Sequence, residues 1–171
     1  MKISLILFHS NVNQTNDNIK AIYKKFPQSP LEIIVMTTNK TTFINDVLYN
    51  YKLVEIESFD SPDILSIIFA NSTGTIISIN NTFKLNIEKY VKYLKKIMLM
   101  NDHNRNVQIL IYSKQDSTKK IISDFLINGK KEESKIKQIM YYRNCFKKIN
   151  NMQNEHLLDA CNKLNFDILN E

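Results

Sequence analysis

Short runs of β-branched and other apolar residues recur along this chain, and helical patterns fill the intervals between them. Ile3 to Phe8, Leu31 to Met36, Lys52 to Glu57, the run after Gly74 and Val107 to Tyr112 are the strand-like segments. Most are apolar at nearly every position, as a strand must be when both of its faces are covered. Between them, Ile19, Ile22, Tyr23 and Phe26 follow helical spacing, as do Ile44, Val47, Leu48 and Tyr51 further on. Ile64, Leu65, Ile68 and Phe69 form a third apolar stripe, and Ile87, Val91, Leu94 and Met98 a fourth. Strands alternating with amphipathic helices predict an α/β fold: a single domain with a mostly parallel sheet flanked by helices.

Local signals bound the elements. The first helix is expected to start near Asn16 or Asp17 and to stop before Pro27 and Pro30, and Thr41 or Thr42 caps the second. Ser61-Pro62-Asp63 combines a hydroxyl cap, a proline at the first helical position and a carboxylate at the positive end of the dipole. Asn86 caps the fourth helix, whose Lys89, Lys92, Lys95 and Lys96 lie mostly off the apolar stripe and read as a solvated face. A helix from Ser117 ends at Asn128-Gly129. The remainder is less regular: a strand over Ile139–Tyr142, a short helix and turn over Asn144–Asn151, a helix over Glu155–Leu164, and a strand over Phe166–Leu169.

A length of 171 residues suits one domain with a full core. The net charge of +6 comes mostly from lysine, which reads as solvated faces before it reads as a partner rich in phosphate. Cys145 and Cys161 make no disulfide framework or zinc site, and His9, His103 and His156 lack metal-ligand spacing. The apolar run after Met1 is too short for a signal peptide, and nothing reaches the length of a membrane span. A soluble protein of the cytoplasm is expected. No phosphate-cradling glycine loop follows the first strand and there is no G-x-S-x-G elbow, which removes the dinucleotide fingerprint, the P-loop and the common hydrolase. The basic segment from Lys130 to Lys148 holds Tyr141 and Tyr142, but aromatic and basic residues do not interleave as in a single-strand platform, so nucleic acid is an unlikely partner.

Chemistry is therefore sought where strands one, two and four end. They end on polar, uncharged residues: His9-Ser10-Asn11, Thr37-Thr38-Asn39 and Asn80-Asn81-Thr82. In open α/β sheets, ligands collect in the crevice beyond the carboxyl ends of the strands.

The order of these segments resembles the family-2 glycosyltransferases, which have the GT-A nucleotide-sugar-binding fold. Ile3 to Asn11 lines up without gaps on that family's opening strand, which ends in a similar asparagine. Glu32 to Thr41 is similar to its second strand, normally closed by two aspartates, glycine, serine and threonine. Ser72-Thr73-Gly74 through Asn81 resembles the turn and strand that lead to the metal-binding aspartates. Tyr142 to Ile149 resembles an arginine-containing strand and short helix, Asn150-Asn151-Met152 stands in place of a Gly-Gly-aromatic turn, and Leu158-Asp159 falls near a Glu-Asp pair.

The resemblance implies a nucleotide-diphospho-sugar transferase-like domain over residues 1–171. Its nucleotide-sugar-binding half is 1–112 and its acceptor-side half 113–171. His9, Asn11, Thr37, Thr38, Asn39, Asn80 and Asn81 would border the donor, with Thr37 or Thr38 replacing an aspartate that contacts the base. Asp159 would be the general base that deprotonates the acceptor hydroxyl, with Glu155 as fallback. Arg143 would either meet the diphosphate or pair with a surface carboxylate. Mn²⁺ or Mg²⁺ is the family's companion ion, but its usual aspartate ligands are replaced by Asn80, Asn81 and Thr82. An amide oxygen can coordinate such an ion without contributing charge. Losing the metal would cost roughly two to four orders of magnitude in rate. The implied activity is sugar transfer from a nucleotide donor to an acceptor hydroxyl, or else a catalytically inactive binding or assembly module of the same fold.

Overall fold

The computed structural model describes residues 2–9, 11–27, 31–39, 49–59, 63–80, 85–103, 107–113, 136–143 and 165–170. They form one seven-stranded sheet and three helices: β1 (Ile3–Phe8), α1 (Val12–Lys25), β2 (Leu31–Thr37), β3 (Lys52–Glu55), α2 (Ile64–Asn71), β4 (Ile76–Asn80), α3 (Ile87–His103), β5 (Val107–Ser113), β6 (Ile136–Tyr142) and β7 (Asn165–Asn170). The strand order is β3-β2-β1-β4-β6-β5-β7. β3, β2, β1 and β4 run parallel, β6 is antiparallel to both β4 and β5, and β7 pairs parallel with β5. The expected α/β architecture with a mostly parallel sheet is what forms.

β1 is buried at all six positions, which is why its sequence carries no polar alternation. Its odd-numbered residues Ile3, Leu5 and Leu7 join Ile33, Val35 and Ile76 in one core. α1 adds Ile19 and Ile22 to that core, and α3 adds Tyr90, Tyr93, Leu94 and Ile97. Both helices therefore cover the same face. Ile6, Phe8, Ile34, Met36, Ile77 and Ile79 alternate to the other face and are equally buried.

Several boundaries differ from the sequence expectation, each for a local reason. α1 starts at Val12, not near Asn16 or Asp17, because the Asn11 carboxamide accepts the Gln14 N–H at 2.8 Å and caps the helix there. Its first turns bury Thr15 and Asn18, polar residues that an apolar stripe cannot reveal. Asn18 earns its burial by accepting the backbone N–H of Leu85 at 3.0 Å. α2 begins after Asp63, whose side chain makes no cap bond; Ser61 and Pro62 lie outside the described residues. α3 is capped by Asn86, as expected, through the Lys89 N–H at 3.1 Å. Its buried stripe is rotated toward Tyr90, Tyr93, Leu94 and Ile97, while Ile87 and Val91 are only half-buried. The tyrosines offer the larger apolar area and turn the helix toward them. β3 stops at Glu55, and β6 starts at Ile136 instead of Ile139. The helices expected over 41–51, 117–126 and 155–164, and the turn over 144–151, fall wholly or mostly outside the described residues.

Tyr90 is fully buried, and its hydroxyl finds no well-formed hydrogen bond among the described residues, with Ser78 its nearest polar neighbour. Burial pushes its pKa far up, and neighbouring Ser78 opposes this only in part. An unpaired buried hydroxyl costs about 1–3 kcal/mol. Tyr90→Phe, which keeps the ring's edge-on contact with Phe26, is expected to leave stability unchanged or raise it by about 1 kcal/mol. Urea denaturation of the two proteins measures this; a clear loss of stability would show that the hydroxyl is paired in solution.

Candidate functional site at the carboxyl edge of the parallel strands

The register brings four strand ends level. Leu7 stands opposite Asn80, Phe8 opposite Met36, and Thr37 opposite Glu55. The ladder extends past the strands, with His9 N–H donating to the Met36 carbonyl at 2.9 Å and Ile56 N–H to that of Thr37 at 2.8 Å. His9, Asn11, Thr37, Thr38, Asn39 and Asn80 thus gather along one edge. Asn81 and Asp159 lie outside the described residues.

Their environments separate them. Thr37 is fully buried, and its hydroxyl closes a turn, accepting Asn39 N–H and donating to Asn39 carbonyl oxygen, both at 3.1 Å. It is committed to shaping the loop. Thr38 and Asn39 are exposed on that turn, so of the two threonines Thr38 is the one with access to a ligand. Asn80 is 3% exposed and is held within the sheet end. Asn11 is engaged as the α1 cap. His9 is half-buried with Nδ1 2.9 Å from the Thr15 hydroxyl. Burial lowers its pKa, so it is neutral near pH 7. It can offer a hydrogen bond but not a positive charge.

The positive end of α1 opens at this edge, where backbone N–H groups favour an anion. Phe59 stands there too, half-buried and edge-on to Phe8 with ring centroids 5.5 Å apart. Nothing singled out Phe59 in the sequence; its only signal is an aromatic residue within a short polar loop. Among the described residues no group of three His, Cys, Asp or Glu side chains is placed to hold a metal ion. A buried amide at Asn80 does not replace a carboxylate's charge, so the described donors do not fit a carboxylate-held Mn²⁺ or Mg²⁺.

Arg143 is not at this edge. β6 runs against β4, which places Tyr142 opposite Ile76 and leaves Arg143 beside Thr75 at the far end. Its guanidinium donates to the carbonyls of Ser72 at 2.7 Å and Phe69 at 2.9 Å and to the Ser72 hydroxyl at 2.9 Å, and lies 4.0 Å over the Phe69 ring. Both expected roles, diphosphate contact and carboxylate pairing, give way to capping the carboxyl end of α2. The five-residue rise from Thr75 puts that cap about 17 Å from Asn80.

The sequence matches no protein-family model and no curated protein. Solved structures do resemble it. A mannosyltransferase from Pyrobaculum calidifontis, in complex with GDP-Man and Mn²⁺, matches 99% of this chain and 54% of its own at 12% identity with a TM-score of 0.60. Mannosyl-3-phosphoglycerate synthase from Rubrobacter xylanophilus matches 85% of this chain and 55% of its own at 11% identity and 0.57. CMP:2-keto-3-deoxy-manno-octonic acid synthetase complexed with CTP matches 99% and 89% at 10% identity and 0.54. The fold is nucleotide-diphospho-sugar transferase-like. The chain spans about half the length of the two mannosyl enzymes. No helix among the described residues is long and apolar enough to cross a membrane.

Proposed function

We propose that this protein is a family-2-like glycosyltransferase domain with a degenerate metal motif, which takes a nucleotide sugar at the carboxyl edge of β1, β2 and β4. The observation that carries the reading is the exposed Thr38–Asn39 turn, set level with His9 and the start of α1 in a fold shared with nucleotide-sugar transferases. Thr38 and Asn39 offer neutral donors and acceptors to a base or ribose, and the α1 terminus faces the diphosphate. In the transfer step Asp159 takes the acceptor hydroxyl's proton as its oxygen bonds to the anomeric carbon. The bond to the nucleoside diphosphate breaks, and the diphosphate leaves with the electron pair. A second reading, a non-catalytic binding or assembly module at work in the cytoplasm, is favoured by Asn80, whose buried amide supplies no charge to a leaving group.

A thermal-shift screen of UDP-, GDP- and TDP-sugars, with and without Mn²⁺, tests the first reading. One donor is expected to stabilise the protein saturably, by about 2.7 kcal/mol at ~100 times its Kd. Asn39→Ala and Asn81→Ala should weaken that shift, and Asp159→Asn should keep it while abolishing transfer. No shift with any donor sinks both readings of this edge as a nucleotide-sugar site. A shift without transfer to any acceptor leaves the binding module.

A further inference from the structure

Among the residues whose side chains are described, the exposed charges lean to opposite edges. Of the described carboxylates, Glu55 and Glu57 at the end of β3 and Asp63 at the start of α2 stand at the carboxyl ends of the parallel strands, while Asp17 and Glu88 precede the exposed lysines along α1 and α3. The exposed lysines lean the other way. Lys20, Lys24 and Lys25 come after Asp17 along α1, and Lys92 and Lys95 come after Glu88 along α3. Lys2 and Lys52 open β1 and β3 at the same far edge. Glu32, a carboxylate at that edge, is tied down: it accepts from Ser4 at 2.5 Å and from the Thr73 N–H at 2.9 Å, and pairs with Lys2 at 3.8 Å.

The two lysine-bearing helices are neighbours. α1 and α3 share one core on one sheet face, and Phe26 at the end of α1 meets Tyr90 of α3 edge-on. α3 then runs on past that contact for three more turns, carrying Lys92, Lys95 and finally Leu99. Leu99 is 59% exposed, a large apolar side chain left in solvent at the basic end. Next to the end of α1, the strand starts leave an open groove of about 290 Å³ whose rim includes Lys2, Lys52, Tyr23 and Tyr51.

From this we infer that the amino edge of the parallel strands, together with the adjoining ends of α1 and α3, docks on an anionic lipid bilayer surface. The charge is complementary, and the lysine stems suit an interface at which the ammonium groups stay hydrated. Leu99 supplies the shallow apolar contact that distinguishes a bilayer from a soluble polyanion. An RNA partner is the poorer fit: among the described residues the aromatics nearest these lysines, Tyr23 and Tyr51, are half-buried, and Tyr23 is packed on Tyr49, so they offer bases no open stacking face. The acidic edge, where the candidate site lies, would then face away from the bilayer. This inference does not depend on the donor reading of that site.

Co-sedimentation of the intact protein with vesicles tests it, using phosphatidylcholine alone against phosphatidylcholine with about one-third phosphatidylglycerol, at ~0.1 M salt. Binding is expected only to the anionic vesicles and is expected to fall steeply as salt rises. Each lysine should account for about fivefold in partition, so K24Q/K25Q/K92Q/K95Q should lose on the order of several hundredfold. Leu99→Ser should weaken binding several-fold without changing its salt dependence. All these side chains are exposed, and unchanged circular dichroism and melting temperature would verify that the variants fold. Equal binding to neutral vesicles, no binding to anionic ones, full binding by the quadruple variant, or capture by an RNA oligonucleotide with no vesicle binding would each overturn the inference.

Discussion

Gly74→Ala is expected to cost about 3 kcal/mol, a large share of the roughly 5–15 kcal/mol that keeps a domain folded. A Cβ built on Gly74 would lie 2.5 Å from the backbone nitrogen of Ser4, 2.7 Å from its hydroxyl oxygen and 2.8 Å from the carbonyl carbon of Ile3. Two of these atoms are backbone at the start of β1, which is paired on both sides by β2 and β4. They cannot give way without moving the centre of the sheet. The close approach is also functional for the fold. Gly74 N–H donates to the Ser4 hydroxyl at 2.8 Å, that hydroxyl donates on to Glu32, and Thr75 N–H meets the Lys2 carbonyl at 2.8 Å. Burial would raise the Glu32 carboxyl's pKa, but bonds from Ser4 and Thr73, with Lys2 nearby, hold it below the ordinary value. Guanidinium titration of Gly74→Ala against Thr73→Ala separates steric exclusion from loss of the network. Thr73 is exposed, and its truncation should cost about 1 kcal/mol. Equal, small losses in both would falsify the steric account.

Arg143→Ala should destabilise by about 3 kcal/mol, and Arg143→Lys should recover little of it. The guanidinium satisfies two carbonyls and a hydroxyl at the end of α2 while lying on the Phe69 ring. Removing it leaves those carbonyls without their partner, and a single ammonium cannot span three acceptors set in a fork. The same substitutions should leave donor affinity within about twofold once folding is corrected for, since the residue stands a strand length from the candidate site. Denaturation and ligand titration on the same variants check both halves. A large loss of donor affinity in the folded Arg143→Lys protein would restore the diphosphate role.

The legible part of the site was its place. Apolar runs ending in short polar clusters marked β1, β2 and β4 before any register was known, and the register then brought those ends level. What could not be read was the use of each polar side chain. Thr37 and Thr38 are adjacent and chemically identical, yet one closes a buried turn and the other is exposed. Asn11 looked like the end of a strand and is the cap of a helix. Arg143 carried a family expectation and took a structural task, because an antiparallel β6 delivers it to the wrong edge.

By itself the sequence determined the architecture, because burial on both faces leaves a periodicity of apolar residues that needs no partner to be read. It also determined that Asn80, Asn81 and Thr82 bring no carboxylate to the end of β4, since residue type alone sets that charge. The tertiary structure decided everything that depends on direction and distance: which edge a residue reaches, which face of α3 is buried, and which of two neighbouring polar side chains is exposed. Those outcomes follow from strand polarity and register, and a linear order of residues does not contain them.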